Sequence, residues 1–248
     1  MTIDPDARAL RALVVGLVDH GETHRVVHLL TPSGPVGCFA PAARRSRRRF
    51  GGALQLFNTV QAHLARTREG RMTTLLSVEP LVLRLGLSRD LERLSLAAYL
   101  PDLARRVAPE GVETQLSPRL ERCLDRIEAK GATRAERRAF ELFVLDELGY
   151  RPSLDPRCPR CGQPAAFLDL ERGGLFCGAH RDRGREIGPR TRAWLERRLA
   201  GEDAPEPPLS PEDADRAARA VGPALDAAIG GVLERPLASA AMLAELGL

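Results

Sequence analysis

Arg25-Val26-Val27-His28-Leu29-Leu30-Thr31-Pro32-Ser33-Gly34-Pro35-Val36-Gly37-Cys38-Phe39-Ala40 reads as two apolar segments joined by a turn. Thr31-Pro32-Ser33-Gly34 has the proline and glycine of a tight hairpin, and residues 25–31 and 36–40 on either side have strand character. Outward from this pair, residues 11–18 precede it and residues 54–66 and 72–78 follow it with similar patterns, and Gly or Pro lies near most of the breaks. Five strands in about 70 residues, without helical periodicity, predict a small closed β-barrel, and the strand count fits an OB-like barrel. Gln55 to Leu64 in the fourth segment alternates imperfectly, as expected of a strand bent around a barrel.

Between the third and fourth strands, five of the six residues from Arg44 to Arg49 are arginine, followed by the turn-like Phe50-Gly51-Gly52. Guanidinium groups this close repel one another, so the run must stay solvated or meet a polyanion. A solvated loop without a partner and a nucleic-acid contact are the two readings. Charge along the chain favours the second. Residues 1–80 hold 11 arginines against 6 acids, net +5, whereas residues 202–248 hold 3 arginines against 9 acids, net −6. A basic front and an acidic tail place a polyanion site at the front. Of the 37 basic residues only Lys130 is lysine, a bias that genomic base composition alone can produce.

The 248 residues, 44% of them hydrophobic, suffice for one or two domains with real cores. Residues 1–11 lack the charged-then-apolar order of a signal peptide, and no apolar run reaches the roughly 20 residues of a membrane span. The expectation is a soluble, cytosolic chain with no membrane partner. After Leu85 the period becomes helical. Residues 90–100 form an amphipathic helix that Ser88 can cap, and Pro101 is expected to divide or kink it before residues 102–107. Residues 117–129 and 133–148 follow as helices with capping hydroxyls, Pro118 in a first turn, and Gly149 as a stop. Later helices are expected at 189–199, 211–229 and 239–246, with the Pro-rich residues 204–208 as a semi-rigid connector.

Cys158-Pro159-Arg160-Cys161 is followed after fifteen residues by Cys177-Gly178-Ala179-His180. Each short loop can turn two ligands toward one ion, and residues 167–170 and 173–176 read as a hairpin joining the loops. Three thiolates and a neutral imidazole around Zn²⁺ sum to −1, which the nearby Arg157, Arg160, Arg181 and Arg183 can offset. With four protein ligands and no open position, Cys158, Cys161, Cys177 and His180 describe a structural zinc site; a redox dithiol pair is the alternative. Cys38 and Cys123 fall outside the cluster and read as small core or surface residues.

Other residues say less. His20, His24, His28 and His63 lack ligand-like spacing. No Ser-His-Asp pattern, phosphate-binding glycine loop or catalytic carboxylate pair is present, so the sequence offers no enzymatic machinery. The barrel segments supply only Phe39, Phe50 and Phe57 as aromatic residues, all assignable to core, so a nucleic-acid contact here is expected to rest on phosphates and to weaken strongly with salt.

Four stretches in register resemble the RecO family of bacterial recombination mediators and annealing proteins. They are His20-Gly21-Glu22-Thr23-His24-Arg25-Val26-Val27 with Leu29-Leu30-Thr31, Arg44-Arg45 through Phe50-Gly51-Gly52-Ala53-Leu54-Gln55, Leu148-Gly149-Tyr150-Arg151-Pro152 leading to Cys158, and Arg235-Pro236-Leu237 with Ser239. The resemblance spans nearly the whole chain. It implies an α+β chain: an amino-terminal OB-fold barrel over residues 1–82, then a helical domain over 83–248 with a zinc-finger-like module at 155–184. The implied role is non-enzymatic. It comprises binding of single- and double-stranded DNA, annealing of complementary strands and, with RecR, loading of the RecA recombinase onto DNA coated by single-strand-binding protein, in the cytoplasm at the nucleoid.

On that reading Arg25, Arg44, Arg45, Arg47, Arg48 and Arg49 contact DNA, a mobile arginine loop screening two phosphate backbones as they approach. The family commonly has lysine where this chain has Pro41 and often serine where it has Arg48, which redistributes charge along the loop. Some relatives lack the cysteine cluster, which fits a stabilising metal. The family's helical region also receives the acidic carboxy-terminal tail of single-strand-binding protein. Arg137 and Arg138 beside Phe140, Leu142 and Phe143 can edge such a groove, or the apolar residues are core and the arginines solvated. A zinc-stabilised protein-interaction scaffold without direct annealing is the competing function.

Overall fold

The hairpin read from the sequence forms β2 (His24–Thr31) and β3 (Gly34–Ala40), joined by two residues. The computed structural model describes residues 8–65, 72–201, 209–233 and 235–248. The Pro-rich connector expected at 204–208 and the amino-terminal residues 1–7 lie outside the described residues. In the turn, Thr31 Oγ1 donates to Gly34 O at 2.9 Å and accepts from Ser33 N at 3.1 Å. Gly34 adopts φ +97°, and a Cβ there would collide with the carbonyl oxygen of Pro109, so both the turn and the close approach require glycine.

The chain divides into two units, Met1–Lys130 and Gly131–Leu248. In the first, β1 (Arg8–His20), β4 (Thr59–Leu64) and β5 (Thr73–Val82) complete a closed barrel in the order β1-β2-β3-β5-β4. All neighbours are antiparallel except β3 and β5, which meet in parallel at Cys38↔Thr73 and Phe39↔Thr74. Five strands closed in this way form the OB-like barrel expected from the sequence. Its interior is filled at alternate positions by Ala12, Val14, Val27, Leu29, Val60 and Ala62 and their neighbours. Burying this face removes apolar area from water at about 25 cal/mol per Å², the main driving force for closure. The barrel's Cys38 thiol is pushed up to about 12 by burial, as befits an inert core residue.

The fourth strand is shorter than expected, because residues 54–58 form turns. Phe57 takes φ +72°, and Asn58 Nδ2 donates to Ala53 O at 3.2 Å while its Oδ1 accepts from Arg84 N at 3.0 Å. Leu54 and Phe57 are buried here although they are not in the strand ladder.

A 3₁₀ turn (Leu85–Ser88) leads into α1 (Leu91–Val107) and α2 (Leu116–Lys130), both in the first unit with the barrel. Asp90, not Ser88, caps α1 by accepting from Arg93 N at 2.8 Å. The helix also runs unbroken past Pro101, which costs a backbone bond but sits among the buried Leu96, Leu100 and Leu103. Ser117 donates to Leu30 O instead of capping α2. Arg84, fully buried at its side chain, donates to Phe57 O (2.7 Å), Thr59 Oγ1 (2.9 Å) and Asp125 (2.7 Å). Glu121 of α2 accepts from Thr59 Oγ1 and Arg11 and so ties α2 to β1 and β4.

The second unit contains α3 (Arg134–Glu147), the short strands β6 (Phe167–Asp169), β7 (Gly174–Phe176) and β8 (Arg185–Glu186), then α4 (Pro189–Ala200), α5 (Pro211–Val232) and α6 (Ala238–Glu245). Thr133 caps α3 by accepting from Glu136 N. Gly149 at φ +86° ends the helix: its N–H reaches Asp146 O at 3.0 Å and that of Tyr150 reaches Leu145 O at 2.8 Å. Ser210 caps α5, with Pro211 at its first position. The sheet order is β7-β6-β8, and β8 had no recognisable signal in the sequence.

Candidate nucleic-acid interface and metal centre

The arginine run leaves β3 at one end of the barrel and is stitched to it on both sides. Ala42, at φ +56°, donates its N–H to His24 Nδ1 at 3.0 Å, and Arg44 N donates to Thr23 O at 3.0 Å. At the far end Phe50 is buried in the barrel core and Val78 N of β5 donates to Arg49 O at 2.9 Å. The run is therefore an anchored series of turns, whereas the sequence suggested a mobile loop.

Anchoring sorts the arginines. Arg25, opposite Ala40 in the ladder, donates Nε to Asp19 Oδ1 at 2.8 Å, and Arg44 Nε lies 3.6 Å from Asp19 Oδ2. The Arg25 hydrogen bond, aided by the charges of Arg44 and Arg25, holds the Asp19 carboxyl below its ordinary range although desolvation opposes this. Arg45 is 4.0 Å from Glu22, with both side chains largely exposed. Arg49 turns inward, donating to Pro41 O (2.7 Å) and Ser46 Oγ (3.2 Å) and lying over the Phe50 ring. Arg47 and Arg48 are exposed and have no ion pair or side-chain hydrogen bond among the described residues. Of the six arginines expected as contacts, Arg44, Arg45, Arg47 and Arg48 are exposed, Arg25 is half-buried beside Asp19, and Arg49 supports the segment.

Phe39 is not a core residue, unlike Phe50 and Phe57. In the β1–β2–β3 register, Val18↔Val26 and Val26↔Phe39 form an outward row, while Leu17↔Val27 and Val27↔Cys38 point inward. His20 and His24, paired across the same hairpin, flank the Phe39 ring at centroid distances of 5.8 and 5.3 Å. The sequence contained this cluster as alternation, but an assignment of all three phenylalanines to core concealed it.

The cysteine motifs converge as the spacing demands. Gly162, at φ +71°, closes the first loop by donating to Cys158 O at 2.8 Å, and His180 N donates to Cys177 O at 3.0 Å in the second. The β6–β7 hairpin brings the loops together. The ligand atoms of Cys158, Cys161, Cys177 and His180 all lie within 4.8 Å of one another. Cys161 Sγ–Cys177 Sγ is 3.6 Å, Cys158 Sγ–His180 Nδ1 is 3.7 Å and Cys177 Sγ–His180 Nδ1 is 3.3 Å. A tetrahedral ion with bonds of about 2.3 Å to sulfur sets its donors about 3.8 Å apart, so the four groups fit a metal.

Burial raises the Cys158 thiol, but backbone N–H groups of Cys177 and Arg160 and the side chains of Cys177 and His180 outweigh it and bring it down to about 6. Arg172, absent from the expected neutralising set, donates to His180 O at 2.9 Å and stacks 4.0 Å over Phe176. Because all four donors come from the protein, the cluster can crosslink two loops and leaves no site for a substrate.

Arg137 and Arg138 of α3 fit neither reading made from sequence. Both are buried: Arg137 Nε donates to Glu141 Oε1 at 2.8 Å, and Arg138 Nη1 donates to Glu141 Oε2 at 2.7 Å and Asp226 Oδ1 at 2.6 Å. Burial would lower the Arg138 pKa, but Glu141 and Asp226 more than offset it and hold the group above its ordinary range. These guanidinium groups are committed inside the unit. Phe140 and Leu142 beside them are core.

No helix among the described residues is long and apolar enough to cross a membrane. The family model described as Recombination protein O N terminal matches residues 8–84, and that described as Recombination protein O C terminal matches residues 88–237. A DNA repair protein RecO of Pelobacter propionicus is 40% identical over 199 residues, covering 77% of this chain and 78% of its own. Proteins of the same name from Geobacter metallireducens and Myxococcus xanthus are 35% and 34% identical, covering 95% and 96% of this chain and 96% and 97% of theirs. With both halves matched in order and relatives aligned along nearly the full length, the chain belongs to the recombination protein O family.

Proposed function

We propose that the chain is a DNA repair and recombination mediator that binds single- and double-stranded DNA and anneals complementary strands. The observation that carries this reading is the exposed pair Arg47 and Arg48, without an ion-pair partner among the described residues, in the same anchored segment as Arg44 and Arg45 at the rim of the barrel. Phosphate contacts need no base readout, and an anchored backbone that presents several exposed guanidinium groups can screen two phosphate backbones as they approach. Arg49 belongs to the same set as a supporting cation. The DNA-binding domain is assigned to residues 1–82 and the helical domain to 83–248, with a zinc module at 155–184. Zinc is the metal assigned to Cys158, Cys161, Cys177 and His180, with a structural role.

Membership of the recombination protein O family supports the remaining parts of the proposal. With RecR, the chain helps load RecA onto DNA coated by single-strand-binding protein, and its helical domain takes that protein's carboxy-terminal tail. It does this in the cytoplasm, at the nucleoid, and without catalysing a reaction. Because Arg137 and Arg138 are committed to Glu141 and Asp226, a tail site draws on other residues.

The test is fluorescence-detected annealing of complementary oligonucleotides coated with single-strand-binding protein, across a salt series. Wild type is compared with an Arg44/Arg45/Arg47/Arg48→Ala variant that spares Arg49 and its anchor to Pro41. Acceleration that falls with salt and is lost in the variant is expected. Absence of acceleration by wild type would leave the zinc-stabilised scaffold as the better account.

A further inference from the structure

We propose that the outer face of β1, β2 and β3 carries a stacking site for the unpaired bases of single-stranded nucleic acid, built from Phe39, His20 and His24. The inference rests on the DNA-binding reading and adds a means of distinguishing single strands from duplex. Three observations carry it. The strand register places Phe39, Val26, Val18, His20 and His24 on one outward face, and Val18 is 54% exposed. The His20 ring stands edge-on to Phe39 at 85°, and the His24 ring is tilted against it by 38°. Two residues along β3 on the same face, Gly37 has nothing within 4 Å of where a Cβ would lie, so the surface beside the rings is open.

Charge complementarity identifies the occupant. Arg25 pairs with Asp19 on the other side of the β1–β2 ribbon, and Arg44 and Arg45 follow from the turn that His24 itself anchors through Ala42 N, so the guanidinium groups rim the end of the barrel at which the rings lie. A strand whose phosphates meet Arg44 and Arg45 at this end brings its bases within reach of the ring cluster. In an OB barrel, strands 2 and 3 form the face on which oligonucleotides lie, and bases stack on aromatic side chains without regard to sequence. Duplex DNA keeps its base faces stacked internally and offers the rings nothing, while its phosphates still meet the arginines. Asp19 and Glu22 at the same tip oppose an anionic ligand, and they leave Arg47 and Arg48 uncompensated.

The experiment measures fluorescence anisotropy of a labelled oligo-dT strand, a duplex of equal length and an abasic strand with phosphates but no bases. Phe39→Leu is expected to weaken oligo-dT binding about tenfold and to leave duplex binding and the salt slope unchanged. Phe39→Trp should retain single-strand affinity, which separates lost stacking from lost folding. Wild type should bind the abasic strand about as weakly as Phe39→Leu binds oligo-dT. Equal losses for strand and duplex, no loss for either, or full affinity of wild type for the abasic strand would each overturn the stacking site while leaving the arginine rim standing. Failure of wild type to bind any of the three would remove both readings.

Discussion

Arg44-Arg45 and Arg137-Arg138 are the same dipeptide with opposite fates. The first pair lies on the barrel rim with exposed, loosely paired side chains; the second is sealed in the helical unit, each guanidinium bonded to Glu141. Local geometry makes the difference. On α3, Glu141 falls three and four residues after the arginines and so stands over both, and Asp226 approaches from α5 to complete the set. On the rim the available acids, Asp19 at the end of β1 and Glu22 in the β1–β2 turn, are themselves half or fully exposed, so water competes for every pair. Arginine serves as internal scaffold where a helix supplies matched acids, and as free surface charge where a loop does not.

The largest expected effect separates the two units. With zinc assigned to Cys158, Cys161, Cys177 and His180, the expectation is that chelation unfolds the loops around β6 and β7, since structural zinc contributes on the order of 10 kcal/mol in isolated zinc-finger peptides. Hydrogen exchange before and after chelation should show protection lost around residues 157–187 and kept in the barrel strands. Uniform loss across both units, or none, would contradict a metal that braces the second unit alone. Next in size, Glu141→Ala leaves two buried guanidinium groups short of their shared carboxylate and should cost about 3–5 kcal/mol in urea unfolding. A cost near zero would mean that water reaches the pair, and the contrast with the rim would fail.

The sequence made the barrel legible because its signals are local: the Thr31-Pro32-Ser33-Gly34 turn and the period-two pattern of residues 25–40 leave little choice of register. The convergence of Cys158, Cys161, Cys177 and His180 was equally plain, since two short loops joined by a hairpin can point four side chains in only a few ways. What stayed hidden depends on distant partners. Nothing near Arg84 announces that Phe57, Thr59, Glu121 and Asp125 surround it, and nothing near Arg137 announces Asp226. Pro101 does not divide α1 for the same reason, because the buried leucines keep the helix continuous through a residue whose local preference is to break it. Phe39 misled through composition: with three phenylalanines in the barrel segments, core was the obvious place for all of them, and only the register turns one outward.

On the rim, stability and binding should come apart. The Arg44/Arg45/Arg47/Arg48→Ala variant is expected to unfold within about 1 kcal/mol of wild type, since exposed ion pairs contribute little. Its DNA affinity should nevertheless fall, and the slope of log affinity against log salt should shrink by about 3. A destabilised variant with an unchanged salt slope would reverse the comparison, making these arginines scaffold and leaving the polyanion without a site.

The smallest effect is also the most discriminating, because it runs in the opposite direction. Asp19 holds Arg25 and Arg44 by contacts of 2.8 and 3.6 Å that a phosphate would have to replace. Its carboxyl sits below the ordinary value of 3.8, so the stabilisation it gives is fully present above that value and is lost only as pH falls through the lower folded value. At neutral pH the carboxylate is charged, so on the proposed function it would compete with a phosphate throughout the usual assay range. Asp19→Asn should therefore tighten DNA binding by about two- to fivefold, with little change in the urea midpoint near pH 7. Weaker binding would mean that Asp19 orients the two arginines for phosphate rather than holding them back. That result would make the β1–β2 turn part of the site instead of its competitor.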